Sequence, residues 1–212
     1  MKFSVFTPSN NLQHYTRPFQ SLVDQTFKDF EWIILLNGEA LKNRDKLEKK
    51  LSSSELNFKI IEEREETKSI GKLKKKCCDE ASGEILVELD HDDALTPNCL
   101  AELSKAFDTE DCDFCYSDDY AIDKNGNYIT PFGSKFGWTI KEDFNGNKYH
   151  PSPDPSALSF SYIWYAPDHV RAWRKAFYHI INGHDESLEV CDDYDLLCRT
   201  YINGKVHRID KP

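Results

Sequence analysis

Residues 1–118 repeat one pattern: a short apolar run, a stretch with helical apolar spacing, then another apolar run. The runs cover residues 2–7 (KFSVFT), 32–36 (WIILL), 58–61, 85–89 and 113–116. Between them the spacing predicts helices over 18–27, about 41–51 and 71–81. Another is expected from Pro97 through Leu103, with Thr96 as its N-cap. Strands alternating with helices build a parallel sheet covered on both faces. Such sheets bind their ligands beyond the carboxyl ends of the strands. Thr7, Asn37 and the acidic stretch 90–93 follow such ends, so they are expected to converge.

Beyond residue 118 the pattern loosens. Asn125-Gly126 and Asn145-Gly146 are hairpin-turn signals. The segment 123–127 (DKNGN) starts like a calcium loop, but Tyr128 stands where that loop needs glycine, so it reads as a turn. Residues 162–165 (YIWY) read as a strand, 168–178 and 192–201 as helices, and 206–209 as a last strand. The expectation is one domain over 1–212, with a nucleotide-binding half to about 118 and a more irregular half from about 119. The sequence stops at RIDKP without a closing element, and it is expected to be the N-terminal part of a longer protein.

Charge and cysteine usage narrow the setting. Lys and Arg number 27 against 37 Asp and Glu, a net −10 that argues against nucleic acid or anionic membrane as a partner. The seven cysteines are an odd number, and no signal peptide or membrane span is visible. Free thiols in a cytoplasmic setting are expected, without a structural zinc site.

The stretch 84–97 (EILVELDHDDALTP) carries the clearest chemistry. Three carboxylates after an apolar run repel one another unless a positive charge sits between them. It reads either as an acidic loop favouring the next helix start or as a divalent-cation site. Hard oxygen ligands on a short turn suit Mg²⁺ or Mn²⁺ with phosphate oxygens. The run 191–195 (CDDYD) opens a helix. It is either an acidic first turn or, through Asp193 standing apart from Asp192 and Asp195, a general base. The lysines of 72–76 (KLKKK) read as a solvated face, with one or two near the helix start in reach of a phosphate. His91 is pinned between carboxylates, and His207 reads as a surface residue or a metal ligand.

Three segments in this order resemble the family 2 glycosyltransferases, enzymes of the GT-A fold. They are SVFTPSNN with the later EWIILLNG, then IGKLKKKCCDEASGEILVELDHDD, then NGHDESLEVCDDYDLLCRTYINGK. The resemblance implies an α/β GT-A domain, a Rossmann-like mixed sheet flanked by helices. It implies that Thr7 and Ser9 line the base and ribose pocket and that Asn37, in place of an acidic residue, meets the uracil. Lys68, Gly71 and Lys74 stand where the family carries an arginine and an Ala-Arg-Asn run. Asp90 and His91 would lie against the nucleotide sugar, with Asp92, joined by Asp90, on Mn²⁺ or Mg²⁺. Asp193 matches the catalytic base, and His184 replaces the usual Phe. The half from about 119 would be the acceptor side, with Tyr162, Trp164 and His184 as candidates there, since aromatic faces suit sugar rings. The implied reaction is one inverting displacement from a UDP-sugar to a hydroxyl of a glycan or other acceptor. A metal-dependent nucleotidyltransferase would need a Gly-rich basic loop after the first strand, and TPSNNLQHYTR lacks it. A non-catalytic nucleotide- or sugar-binding module is the other alternative.

Overall fold

The computed structural model describes residues 1–129, 139–162 and 167–212. Strands β1 (Phe3–Ser9), β2 (Phe30–Leu36), β3 (Phe58–Glu62) and β4 (Ile85–Glu88) pair in parallel. Their crossovers run through α1 (Thr16–Val23), a 3₁₀ turn over Gly38–Asn43 leading into α2 (Arg44–Leu51), and α3 (Ile70–Asp79). Next come α4 (Cys99–Thr109) and β5 (Phe114–Ser117). The second half supplies a small ribbon, β6 (Lys141–Glu142) with β7 (Lys148–Tyr149), then α5 (Ala157–Tyr162) and β8 (Arg171–Arg174). It closes with α6 (Lys175–Ile180), α7 (Asp192–Asn203) and β9 (Val206–Ile209).

The central sheet has seven strands in the order β3-β2-β1-β4-β8-β5-β9. Side chains alternate between its two faces. Trp32, Ile34 and Leu36 join Phe3, Val5 and Leu103 in one core, while Ile33 and Leu35 join Phe6, Leu73 and Trp173 in the other. Burial on both faces is why these strands read as unbroken apolar runs.

The structure departs from expectation at three places, two of them in the second half. Residues 168–178 were expected as one helix. Instead β8 enters the sheet antiparallel between β4 and β5, and α6 starts only at Lys175. Ala172 and Trp173 are buried in opposite cores, so strand pairing here overrides a helical spacing. Of the strand expected over 162–165, Tyr162 closes α5 instead, while residues 163–165, Trp164 among them, lie outside the described residues. The third departure concerns α4, which starts at Cys99 rather than Pro97. The buried amide of Gln25 takes the capping role expected of Thr96, accepting from Leu100 N at 3.0 Å and donating to Thr96 O at 2.8 Å.

Both hairpin signals form turns. Asp123 and Asp143 each accept from the backbone N–H groups two and four residues on, and Gly126 and Gly146 take positive φ. Cys112 and Cys115 form a C-x-x-C spacing that the expectation of isolated thiols passed over. Their sulfurs lie 3.3 Å apart in the buried interior, and all seven cysteines are free.

Candidate active site

The antiparallel β8 explains how the site is assembled. Its register sets Glu88 opposite Arg171, and two further steps past the ladder bring Asp90 against His169. His169 Nε2 indeed lies 3.7 Å from Asp90 Oδ2, and its Nδ1 lies 3.0 Å from Asp168 Oδ1 and 3.9 Å from Asp93 Oδ2. Asp90, Asp92, Asp93, Asp119, Asp168 and His169 share the wall of a cavity of about 700 Å³. Arg17, at the start of α1, fixes the acidic turn by donating to Asp92 O at 2.7 Å.

These groups bias one another's charge. Burial works to lower the His169 imidazole, but Asp168 and the nearby Asp90 charge outweigh it and hold it up at about 9. Burial pushes Asp93 up, and burial with the charge of Asp168 pushes Asp119 up to about 7.

Beneath the acidic turn runs a buried column of charge. Lys74 Nζ, reaching in from α3, lies 2.5 Å from Glu88 Oε1. Arg171 Nη1 lies 3.6 Å from Glu88 Oε2 and 3.4 Å from Asp193 Oδ2 in the first turn of α7. Burial disfavours the Glu88 charge, yet Lys74 and Arg171 prevail and keep it well below the usual carboxylate range. Asp193 keeps an exposed edge, with its side chain 30% accessible. Its neighbours do stand apart, as the spacing predicts: Asp192 is buried towards His184, and Asp195 pairs with Arg199 one turn along.

The other expected residues fall into separate places. Ser9 and Asn37 meet at the carboxyl ends of β1 and β2, where Asn37 N donates to Ser9 O at 3.0 Å. Asn37 Oδ1 is buried without a hydrogen-bond partner. Thr7 is buried and accepts from Trp32 Nε1 at 2.9 Å. Gly71 lies against α7, where a Cβ would come within 2.9 Å of Asp192 Cβ. Lys68 is exposed, and Lys74 is turned inward rather than out of the helix face. His91 is half-buried, and His207 sits on β9 opposite Cys115, outside the acidic cluster. His184, expected on the acceptor side, is wholly buried, its Nδ1 2.7 Å from Tyr178 Oη. The side chain of Tyr162 lies outside the described residues. Three residues of the corner escaped sequence reading: Glu88, His169 and Arg171. Glu88 sat inside an apolar run, and the signal for His169 and Arg171 was a charged stretch, 168–171, following an aromatic run.

The donor set fits a divalent cation. Glu88, Asp90 and His169 each offer an atom within 4.8 Å of the others, and His169 Nε2 is buried with no hydrogen-bond partner among the described residues. Asp92, expected as the direct ligand, is exposed on the wall of the same cavity.

A mostly parallel sheet carrying an acidic turn at the end of β4, closed by an antiparallel strand and a second acidic helix start, defines the GT-A class of nucleotide-sugar folds. The chain belongs to glycosyl transferase family 2, whose sequence pattern matches residues 4–164. An uncharacterized glycosyltransferase of Methanocaldococcus jannaschii is 30% identical over 187 residues, 87% of this chain and 58% of that protein. Among solved structures, S. aureus TarS 1–349 in complex with UDP superposes with a TM-score of 0.76 at 20% identity, covering all of this chain and 59% of that one. GalNAc-T7 with UDP, GalNAc and Mn²⁺ gives 0.64 at 13% identity, over 99% of this chain and 42% of that one. The chain thus spans a little over half of the archaeal relative and of TarS 1–349. Among the described residues no helix is long and apolar enough to cross a membrane.

Proposed function

We propose that this chain is the catalytic part of a metal-dependent, inverting glycosyltransferase that moves a sugar from a UDP-sugar to a hydroxyl of a glycan-type acceptor. The carrying observation is that Arg171 joins the acidic turn to the base candidate, lying within 3.6 Å of Glu88 and 3.4 Å of Asp193. One rigid strand thereby sets the distance between donor corner and base. The TarS complexes with UDP and UDP-GlcNAc support a uridine donor. So does the unpartnered Asn37 Oδ1 beside Ser9, which is able to accept from a base edge.

In this reading Asp193 takes the proton of the acceptor hydroxyl as its oxygen attacks the anomeric carbon. Arg171 aims that carboxylate, its Nη1 lying 3.4 Å from Asp193 Oδ2. Ser9 and Asn37 receive the base and ribose, and Asp90 and Asp92 hold the cation, Mn²⁺ or Mg²⁺. When bound, the cation neutralises charge building on the departing diphosphate. Tyr162 and Trp164 are retained as acceptor-side candidates. Seven free cysteines accord with the reducing cytosol.

The test is UDP release from a panel of UDP-sugars with Mn²⁺, followed by the anomeric configuration of the product. Metal-dependent release with inversion supports the reading; UDP binding without turnover of any donor would favour a binding module.

A further inference from the structure

We infer that His169 is a nitrogen ligand of the cation at the end of β4, aimed by Asp168, and that it tunes the site towards Mn²⁺, Co²⁺ or Zn²⁺ over Mg²⁺. This deepens the proposed function and rests on its cation.

Three observations lead there. The β4–β8 register delivers the ring to Asp90, with Nε2 3.7 Å from Asp90 Oδ2. Nε2 is buried yet has no hydrogen-bond partner among the described residues, which in a polar cleft is the mark of a missing ligand. The other ring nitrogen faces Asp168 Oδ1 at 3.0 Å, the carboxylate–histidine arrangement that keeps a proton on Nδ1, so that a cation binding at Nε2 displaces only the Nε2 proton.

Glu88 reaches the same point, but its two oxygens already face Lys74 and Arg171. The available donors are therefore one nitrogen from His169 and carboxylate oxygen from Asp90, with Asp92 at the rim. A nitrogen donor raises affinity along the first-row series, least for Mn²⁺ and more for Co²⁺ and Zn²⁺, whereas Mg²⁺ keeps a shell of oxygens and water.

The probe is Mn²⁺ itself, followed by electron paramagnetic resonance of the intact chain with and without UDP. Pulsed spectra of bound Mn²⁺ should show a ¹⁴N coupling that becomes ¹⁵N when only the histidines are labelled. His169→Ala should remove that coupling and weaken Mn²⁺ binding by more than the about 10–100-fold expected for Asp168→Asn, which moves a supporting partner only. Mg²⁺ should displace Mn²⁺ poorly from the wild type and readily from His169→Ala. Bound Mn²⁺ without histidine coupling in the wild type overturns the inference and leaves the transferase reading standing. If no Mn²⁺ binds even with saturating UDP, both fall. The wild-type spectrum decides the point whether or not the variants fold.

Discussion

Lys74 and Glu88 face each other at 2.5 Å, and both side chains are buried beneath the acidic turn. Both charges are buried, so Lys74 depends on Glu88, and Glu88 on Lys74 and on Arg171, its second cation. Removing one partner strands the other. Glu88→Gln or Lys74→Met should each cost about 3–5 kcal/mol in urea unfolding. The double variant should recover part of that loss, because it removes both buried charges. Equal stability of the wild type and either single variant would show that the pair carries no such energy.

Asp193 lies next to the guanidinium of Arg171 and keeps an exposed edge. Asp193→Asn preserves shape and should fold and bind UDP normally. Transfer should fall about 10²–10⁴-fold, the usual contribution of a positioned base. Unchanged turnover would assign the proton transfer to another group.

His184 supplies a pH test. Burial pushes its imidazole down to about 3, against 6.5 when unfolded. Between those values the unfolded chain binds a proton that the folded one refuses, so this group makes stability rise with pH from about 3 to about 6.5. The loss appears as pH falls below about 6.5. Asp192, Glu88, Lys74 and Arg171 also face this region, so the comparison is with a variant. In His184→Phe the slope of unfolding free energy over that window should drop by about 1.4 kcal/mol per pH unit, the value for one proton. An unchanged slope would mean that His184 takes up its proton while folded.

Gly71 is where α3 meets α7. A Cβ there would come within 2.9 Å of Asp192 Cβ and 3.0 Å of Asp185 O. Neither contact is the end of a flexible chain. Gly71→Ala should therefore cost about 1–3 kcal/mol and displace the helix start that carries Asp193. Turnover should fall more than UDP affinity does, because Ser9 and Asn37 are on other elements. Equal losses in both would place Gly71 at the nucleotide instead.

What the sequence made legible followed from local pattern. Strands β1, β2 and β4 are mostly apolar because both their faces are covered, and Asp90, Asp92 and Asp193 stand out as acids at element ends. The central charge column was not legible, because its members meet only through long-range pairing. Lys74 looked like one more lysine of a solvated face, and Glu88 like part of an apolar run. His169 and Arg171 were hidden by reading residues 168–178 as a helix, a spacing that the gap between β4 and β5 overrides. Cys112 and Cys115 meet inside the core, where β5 starts.

The central claim is that a cation at the end of β4 couples this protein to the pyrophosphate of a UDP-sugar. Calorimetric titration of UDP into the wild-type chain, once with Mn²⁺ and once with EDTA, tests it most directly. Binding with Mn²⁺ that disappears in EDTA is the predicted result. The same affinity under both conditions, or none under either, would contradict the account.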